Sequence, residues 1–270
     1  MSPSKISYKL ISQMAPSQLL DSNKLSDLGV QPELINYLLA FVSANHPGDQ
    51  DQLYHNLNHT LEDANLFLGI ISQFGLANRW KVLGFLTSLL HDVDPYRTPN
   101  TPPSVKRTIE FIEFNEEIQI IIKFFCENFE FTFDQIKTLI LATDYDSDPK
   151  KRVNKWYKFV SECEIHFQGQ FFPTKDDQFT NLGYVLGEIL AYSDKLATYV
   201  QPLSTVVDRV EGLAFELRTM SNSNTPTGKD MLIGTGQFLK ELKKNRLFNI
   251  LPEVYKKLFM ETYKFFNDVG

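Results

Sequence analysis

The chain has 270 residues, 43% of them hydrophobic, with 22 phenylalanines and a formal net charge of −6. That length supports one large core or two small ones, and the apolar content excludes a disordered chain. The acidic balance argues against a broad nucleic-acid surface, although a bound cation can reverse the field locally for a small anion. No apolar run approaches the roughly 18–20 residues that a bilayer span needs. Met1 to Leu20 holds Lys5 and Lys9 but no apolar block followed by a cleavage site, so it does not read as a signal peptide. The two cysteines, Cys126 and Cys163, lack metal-type spacing, which predicts a reducing, cytoplasmic setting without disulfides.

Residues 1–30 read as an N-terminal extension and 31–270 as one domain. Pro32 opens a helix over Glu33 to Ala44, with Leu34, Ile35, Leu38, Leu39 and Val42 at helical spacing. Asp51 to Phe74 carries Leu57, Leu61, Ala64 and Leu68 on one stripe, and Ala77 to Leu90 follows with Val82, Leu83, Phe85, Leu86 and Leu89. Asp94 to Pro103 holds four prolines and reads as a loop. Ser104 to Glu130 divides into two helices, and Phe133 to Thr143 forms another. Tyr145 to Thr180 reads as a long mixed loop, with Lys150, Lys151, Arg152 and Lys155 on a solvated face. An apolar helix runs from Leu182 to Val200 and stops at Pro202. Ser204 to Met220, Gly236 to Phe248 and Pro252 to Asp268 complete about nine or ten helices, with Ser221 to Lys229 as a polar loop. Strand alternation and hairpin signals are absent, so the predicted class is all-α.

Five histidines occur, at 46, 55, 59, 91 and 166, and three of them sit in two compact motifs. In Tyr54-His55-Asn56-Leu57-Asn58-His59, positions 55 and 59 would share one helical face. That pair alone is weak, since histidines at this spacing are common. In Leu89-Leu90-His91-Asp92-Val93-Asp94, an apolar helix ends on two polar groups whose burial needs a partner, and a divalent cation satisfies both. In Leu190-Ala191-Tyr192-Ser193-Asp194-Lys195, Asp194 falls within an apolar helix. Lys195 cannot neutralise it, because adjacent side chains diverge on a helix. Three helices would thus bring imidazole and carboxylate to one centre, a donor set suited to Mn²⁺, Fe²⁺, Zn²⁺ or Mg²⁺. His46 and His166 read as a helix-end and a loop residue. Cys126 and the Phe-rich stretches read as packing.

The order His59, His91-Asp92, Asp194 resembles the HD superfamily of metal phosphohydrolases. The Tyr-His-Asn-x-x-His form and Leu139-Ile140-Leu141-Ala142-Thr143-Asp144 are similar to stretches of the class I cyclic nucleotide phosphodiesterases. The resemblance covers roughly Gln52 to Thr198. It implies one or two divalent metal ions held by His59, His91, Asp92 and Asp194, with His55 as the general acid and Asn56 orienting it. Tyr54, Asp94, Thr143, Asp144 and Lys195 would lie around the ligands or the substrate. Gln237, beside Phe238, would take the place of that family's base-binding glutamine. Three positions depart from the pattern: Pro95 rather than His follows Asp94, Tyr145 rather than His follows Asp144, and Ala197 stands where those enzymes place Asn.

The implied function is metal-dependent hydrolysis of a nucleotide-like phosphoester, with a cyclic nucleotide phosphodiester as the first substrate class. The alternatives are a nucleoside monophosphate phosphatase of the same superfamily and a non-catalytic ligand-sensing module. A two-iron oxygenase would need more histidines than His166 between Asp92 and Asp194. The expected partner is a small phosphorylated molecule, with no nucleic-acid polymer and no membrane.

Overall fold

The computed structural model describes residues 20–46, 53–99, 101–144, 148–173, 179–220 and 228–268. Helical stripes dominate it, and twelve α-helices are present among the described residues. They are α1 (Ser22–Ser26), α2 (Pro32–Asn45), α3 (Leu57–Ile71), α4 (Asn78–Leu90), α5 (Val105–Phe114) and α6 (Glu116–Phe129). After them come α7 (Phe133–Leu141), α8 (Pro149–His166), α9 (Leu182–Ala197), α10 (Leu203–Met220), α11 (Gly228–Lys244) and α12 (Glu253–Asp268). Single 3₁₀ turns follow α9 (Thr198–Val200) and α11 (Arg246–Ile250). The fold is all-α apart from one antiparallel pair, β1 (Phe171–Pro173) with β2 (Phe179–Asn181), in which Phe172 faces Thr180.

The centre is built from α3, α4 and α9, helices that are buried nearly all round rather than along one stripe. α3 packs against both α4 and α9. Gly84 of α4 lies so close to α3 that an added Cβ would sit 2.0 Å from the Phe67 ring. Helices with a narrower apolar face cover this centre. α5 buries only Thr108, Phe111 and Ile112, and α6 buries Ile118, Ile121, Ile122 and Phe125. Starts are fixed by side-chain caps. Ser104 caps α5, Asn115 caps α6, and Thr132 with Gln135 forms a capping box at α7.

Several expectations need correction. The helix expected from Asp51 begins at Leu57, with bends over 53–56 and residues 51–52 outside the described set. The stretch expected as a loop over 145–180 contains the eighteen-residue α8 and the β-pair, so the hairpin is an addition too. Its residues 145–147 and 174–178 lie outside the described residues. Lys150, Lys151 and Arg152 are exposed on α8, in keeping with a solvated face. His166 ends α8, 3.0 Å from Glu162, and is no loop residue.

Leu20, Leu28 and Val30, within the expected extension, are buried in the core, and residues 1–19 lie outside the described set. The loop expected over 221–229 falls largely outside it as well, and α11 begins at Gly228. Phe111, Phe125 and Phe131 are core residues, whereas Phe114 and Phe124 are exposed. Cys126 is half-buried and Cys163 buried; neither is in a disulfide. No described helix is long and apolar enough to cross a membrane.

Candidate metal centre

Three different places on helices bring the polar groups together. His59 lies in the first turn of α3, where the Asn56 side chain caps the helix by accepting from the His59 N–H at 3.2 Å. His91 is the C-cap of α4 and Asp92 the next residue, where the apolar run ends. Asp194 projects from the last turns of α9. Nε2 of His59 is 3.1 Å from Asp194 Oδ1 and 3.9 Å from Asp92 Oδ2. Nε2 of His91 is 3.4 Å from Asp92 Oδ1 and 3.5 Å from Asp194 Oδ1. Ligand atoms of His59, His91 and Asp194 all lie within 4.8 Å of one another, so these three can hold a metal ion.

The donor set fits a cation. His91 Nε2 and Asp92 Oδ2 are buried without a hydrogen-bond partner among the described residues. His91 Nδ1 donates to the Ser88 carbonyl at 2.8 Å, which directs the lone pair of Nε2 toward the carboxylates. Separations of 3.1–3.9 Å between facing atoms match neighbouring ligands around one ion with bonds of about 2.0–2.2 Å.

Burial alone would raise the Asp194 carboxyl, but the facing imidazoles of His59 and His91 hold it well below its ordinary value. Asp92 is likewise lowered, its burial outweighed by the charges of His91 and His55. Burial acts against His91, yet Asp92 and Asp194 raise it well above an ordinary imidazole.

His55 does not stand on α3. It lies in the bent segment before the helix, so the expected shared face with His59 is wrong, although the two rings remain 5.7 Å apart. A long-range contact orients it: Nδ1 is 2.6 Å from Oε2 of Glu216 on α10. Oε1 of Glu216 accepts the backbone N–H groups of Tyr54 at 2.6 Å and His55 at 3.1 Å. Burial raises Glu216, but the His55 contact and these N–H groups bring it below its usual value. Gly212, one turn earlier on α10, lets the helix approach the same segment; a Cβ there would lie 2.9 Å from the Leu53 carbonyl oxygen.

The other expected residues have varied places. Asn56, expected to orient His55, instead accepts from His59 and from Arg209 Nη1 at 2.8 Å. Tyr54 is buried, its ring 4.9 Å from that of His59, and its hydroxyl accepts from Thr198 at 3.2 Å. Asp94 is buried but faces the loop after it, accepting from the Ser104 N–H at 2.9 Å and pairing with Arg107 at 2.8 Å. Thr143 donates to the Ile140 carbonyl, and Asp144 pairs with Lys155 at 2.8 Å. Burial lowers the Lys195 ammonium against the opposing charge of Asp194. Gln237 is exposed on α11 and lines a cavity of about 850 Å³ with Lys240, Lys243 and Tyr263, which includes none of the metal-cluster residues.

Sequence reasoning missed Asp63, Glu216, Arg97 and Arg209, whereas His46 ends α2 as expected. Asp63 is fully buried on α3, its Oδ2 3.8 Å from His91 Nδ1, and burial raises its carboxyl well above normal. Its signal was available: an acid one turn after His59 in a helix apolar all round. His46 is buried at the end of α2, with Nε2 3.0 Å from the Thr60 hydroxyl.

No protein-family model matches the chain, and no curated protein matches it by sequence. Among solved structures, the chain is similar to the phosphodiesterase domain of the RhoPDE fusion protein from the choanoflagellate Salpingoeca rosetta. The two share 12% identity with a TM-score of 0.60, over 100% of this chain and 92% of that one. At that identity the likeness is one of fold: this chain has a phosphodiesterase-like helical fold.

Proposed function

We propose that the chain is a metal-dependent phosphohydrolase whose ligands are His59, His91, Asp92 and Asp194. A cyclic nucleotide phosphodiester is its best-supported substrate class. The observation that carries the reading is the convergence of two imidazoles and two carboxylates beside a His55–Glu216 pair, within a fold like that of a phosphodiesterase domain. A divalent cation held there would supply Lewis acidity and lower the pKa of water toward neutrality.

The chain's own residues do the rest. With Nδ1 donating to Glu216, His55 keeps Nε2 for a proton that passes to the leaving oxygen as the ester bond breaks. Glu216 fixes that tautomer and stabilises the imidazolium form. The two backbone N–H groups on the same carboxylate hold Tyr54 and His55 in register with it. Asn56 and Arg209 fix the start of α3, and with it His59.

The monophosphatase reading keeps two observations in its favour: Gln237 lines a cavity apart from the metal cluster, and position 197 is Ala. A panel of cyclic nucleotides and nucleoside monophosphates, incubated with protein loaded with Mn²⁺, Mg²⁺ or Zn²⁺, tests both. Release of nucleoside monophosphate supports the diesterase, and release of phosphate the monophosphatase. A metal-loaded chain that turns over neither leaves a ligand-sensing module. His55→Ala should retain metal and slow a substrate with a poor leaving group by roughly 10²–10⁴-fold, while an activated aryl phosphoester suffers much less. Equal loss on both substrates together with metal loss would make His55 a structural support.

A further inference from the structure

The loop after the His91-Asp92 pair carries a charge that nothing described so far uses. Tyr96 points outward, 79% exposed, while Arg97 beside it is only 6% exposed. The backbone there is fixed: the Arg97 N–H donates to the Asp94 carbonyl at 3.2 Å, and the Asp94 carboxylate is anchored to Ser104 and Arg107. The guanidinium turns into the site, where Nη2 donates to the carbonyl of His55. Nε and Nη1 are buried and have no hydrogen-bond partner among the described residues.

A buried guanidinium with donors to spare is costly unless an anion meets it. The nearby carboxylates do not supply a contact pair. Asp94 is engaged by Arg107, Glu216 by His55 and two backbone N–H groups, and Asp92 faces His91 at 3.4 Å and His59 at 3.9 Å without pairing with Arg97. These charges reach Arg97 only through space, and burial, the largest influence, lowers its pKa below the usual guanidinium value. Arg209 offers the contrast. It too is buried and its Nε lacks a partner, but its Nη1 donates to the Tyr54 carbonyl and to Asn56, and its Nη2 pairs with the Glu62 carboxylate at 3.3 Å, whereas Arg97 meets no carboxylate and leaves two nitrogens unpartnered. Holding the His55 carbonyl needs one donor and no charge, so that role leaves the burial of a cation unexplained.

We propose that Arg97 binds the phosphoryl group of the substrate, presenting its unpartnered Nη1 with Nη2 beside it to the non-bridging oxygens, next to the metal cluster and the His55 proton donor. The planar fork of a guanidinium matches two oxygens of a phosphate, and an ammonium cannot reproduce that geometry. The inference rests on the phosphohydrolase reading for its substrate, but its test does not require turnover.

Inorganic phosphate is titrated calorimetrically into the metal-loaded wild type and into Arg97→Gln and Arg97→Lys, with metal content and thermal midpoint measured on each. Arg97→Gln should keep its metal and bind phosphate about tenfold or more weakly, with Arg97→Lys between the two. If the wild type also hydrolyses a cyclic nucleotide, kcat/KM should fall by roughly 10²-fold or more in Arg97→Gln. Wild-type phosphate affinity in a metal-replete Arg97→Gln overturns the inference, as does a metal-loaded wild type that binds no phosphate. Unfolding or metal loss in both variants assigns Arg97 to structure and overturns it too. A wild type that turns over no substrate, yet binds phosphate through Arg97, sinks the phosphohydrolase reading and leaves this inference standing.

Discussion

Glu216 shows how much a single side chain can decide. It holds the His55 ring and two backbone N–H groups at once, from a helix 161 residues away in the chain. Glu216→Gln keeps an acceptor for the backbone but loses the charge that steadies a protonated imidazole. Turnover should fall by roughly 10²-fold with metal content unchanged, checked by steady-state kinetics alongside elemental analysis. Undiminished turnover would remove His55–Glu216 from the mechanism.

His46 makes a separate claim about pH. Burial first, and the charge of Arg97 second, push its imidazole down to about 3. An unfolded chain protonates the same ring near pH 6.5, so between those values the unfolded state binds more protons. Stability is therefore full above about pH 6.5 and is lost as the pH falls, by up to roughly 1.4 kcal/mol per pH unit from this group. Denaturant unfolding at pH 7 and pH 5.5 should differ by about 1 kcal/mol more in wild type than in His46→Gln. Equal slopes would show that the ring is not held neutral.

At the scale of elements, the end of α4 and the last turns of α9 were legible because each interrupts an apolar run with groups that burial penalises, whereas the start of α3 was not, since no apolar run precedes Leu57. His91-Asp92 at the end of Leu89-Leu90 and Asp194 after Leu190-Ala191 carry that signal within a few residues. Glu216 and Arg97 carry none locally, because what makes each matter is a partner on the 53–56 segment. Arg97 also sat in a proline-rich stretch that reads only as a loop. α8 was lost for another reason: only Phe159 and Cys163 of its eighteen residues are buried, so no apolar stripe announces it. Asp148 followed by Pro149, a cap and a first-turn proline, was the signal to heed.

The close approach of α10 to the chain before α3 gives the element-scale prediction. Gly212→Ala puts a methyl group 2.9 Å from the Leu53 carbonyl, and the helix must withdraw. Overpacking of this kind costs about 1–3 kcal/mol. Because α10 carries Glu216, turnover should drop while bound metal stays at the wild-type level. A variant with normal kinetics would mean the segment yields without moving His55.

For the whole molecule, the proposed ligands span a long stretch of chain, His59 and Asp194 lying 135 residues apart. The unfolded chain has no such site, so binding energy adds to folding energy. A metal at about 100 times its dissociation constant should add roughly 2.7 kcal/mol. Stripping it with a chelator should lower the thermal midpoint accordingly. Asp194→Asn should bind metal poorly and show no such rise, read by calorimetric scans with and without Mn²⁺. A midpoint that ignores metal in the wild type would count against the centre.

α3, α4 and α9 surround the cluster, while α10 reaches over to two neighbouring places: Glu216 holds His55, and Arg209 holds the Asn56 cap of α3. On the proposed reading, a variant without Glu216 keeps Arg209 on the α3 cap and Arg97 beside the cluster, so it would hold as a receptor the phosphoester it no longer cleaves.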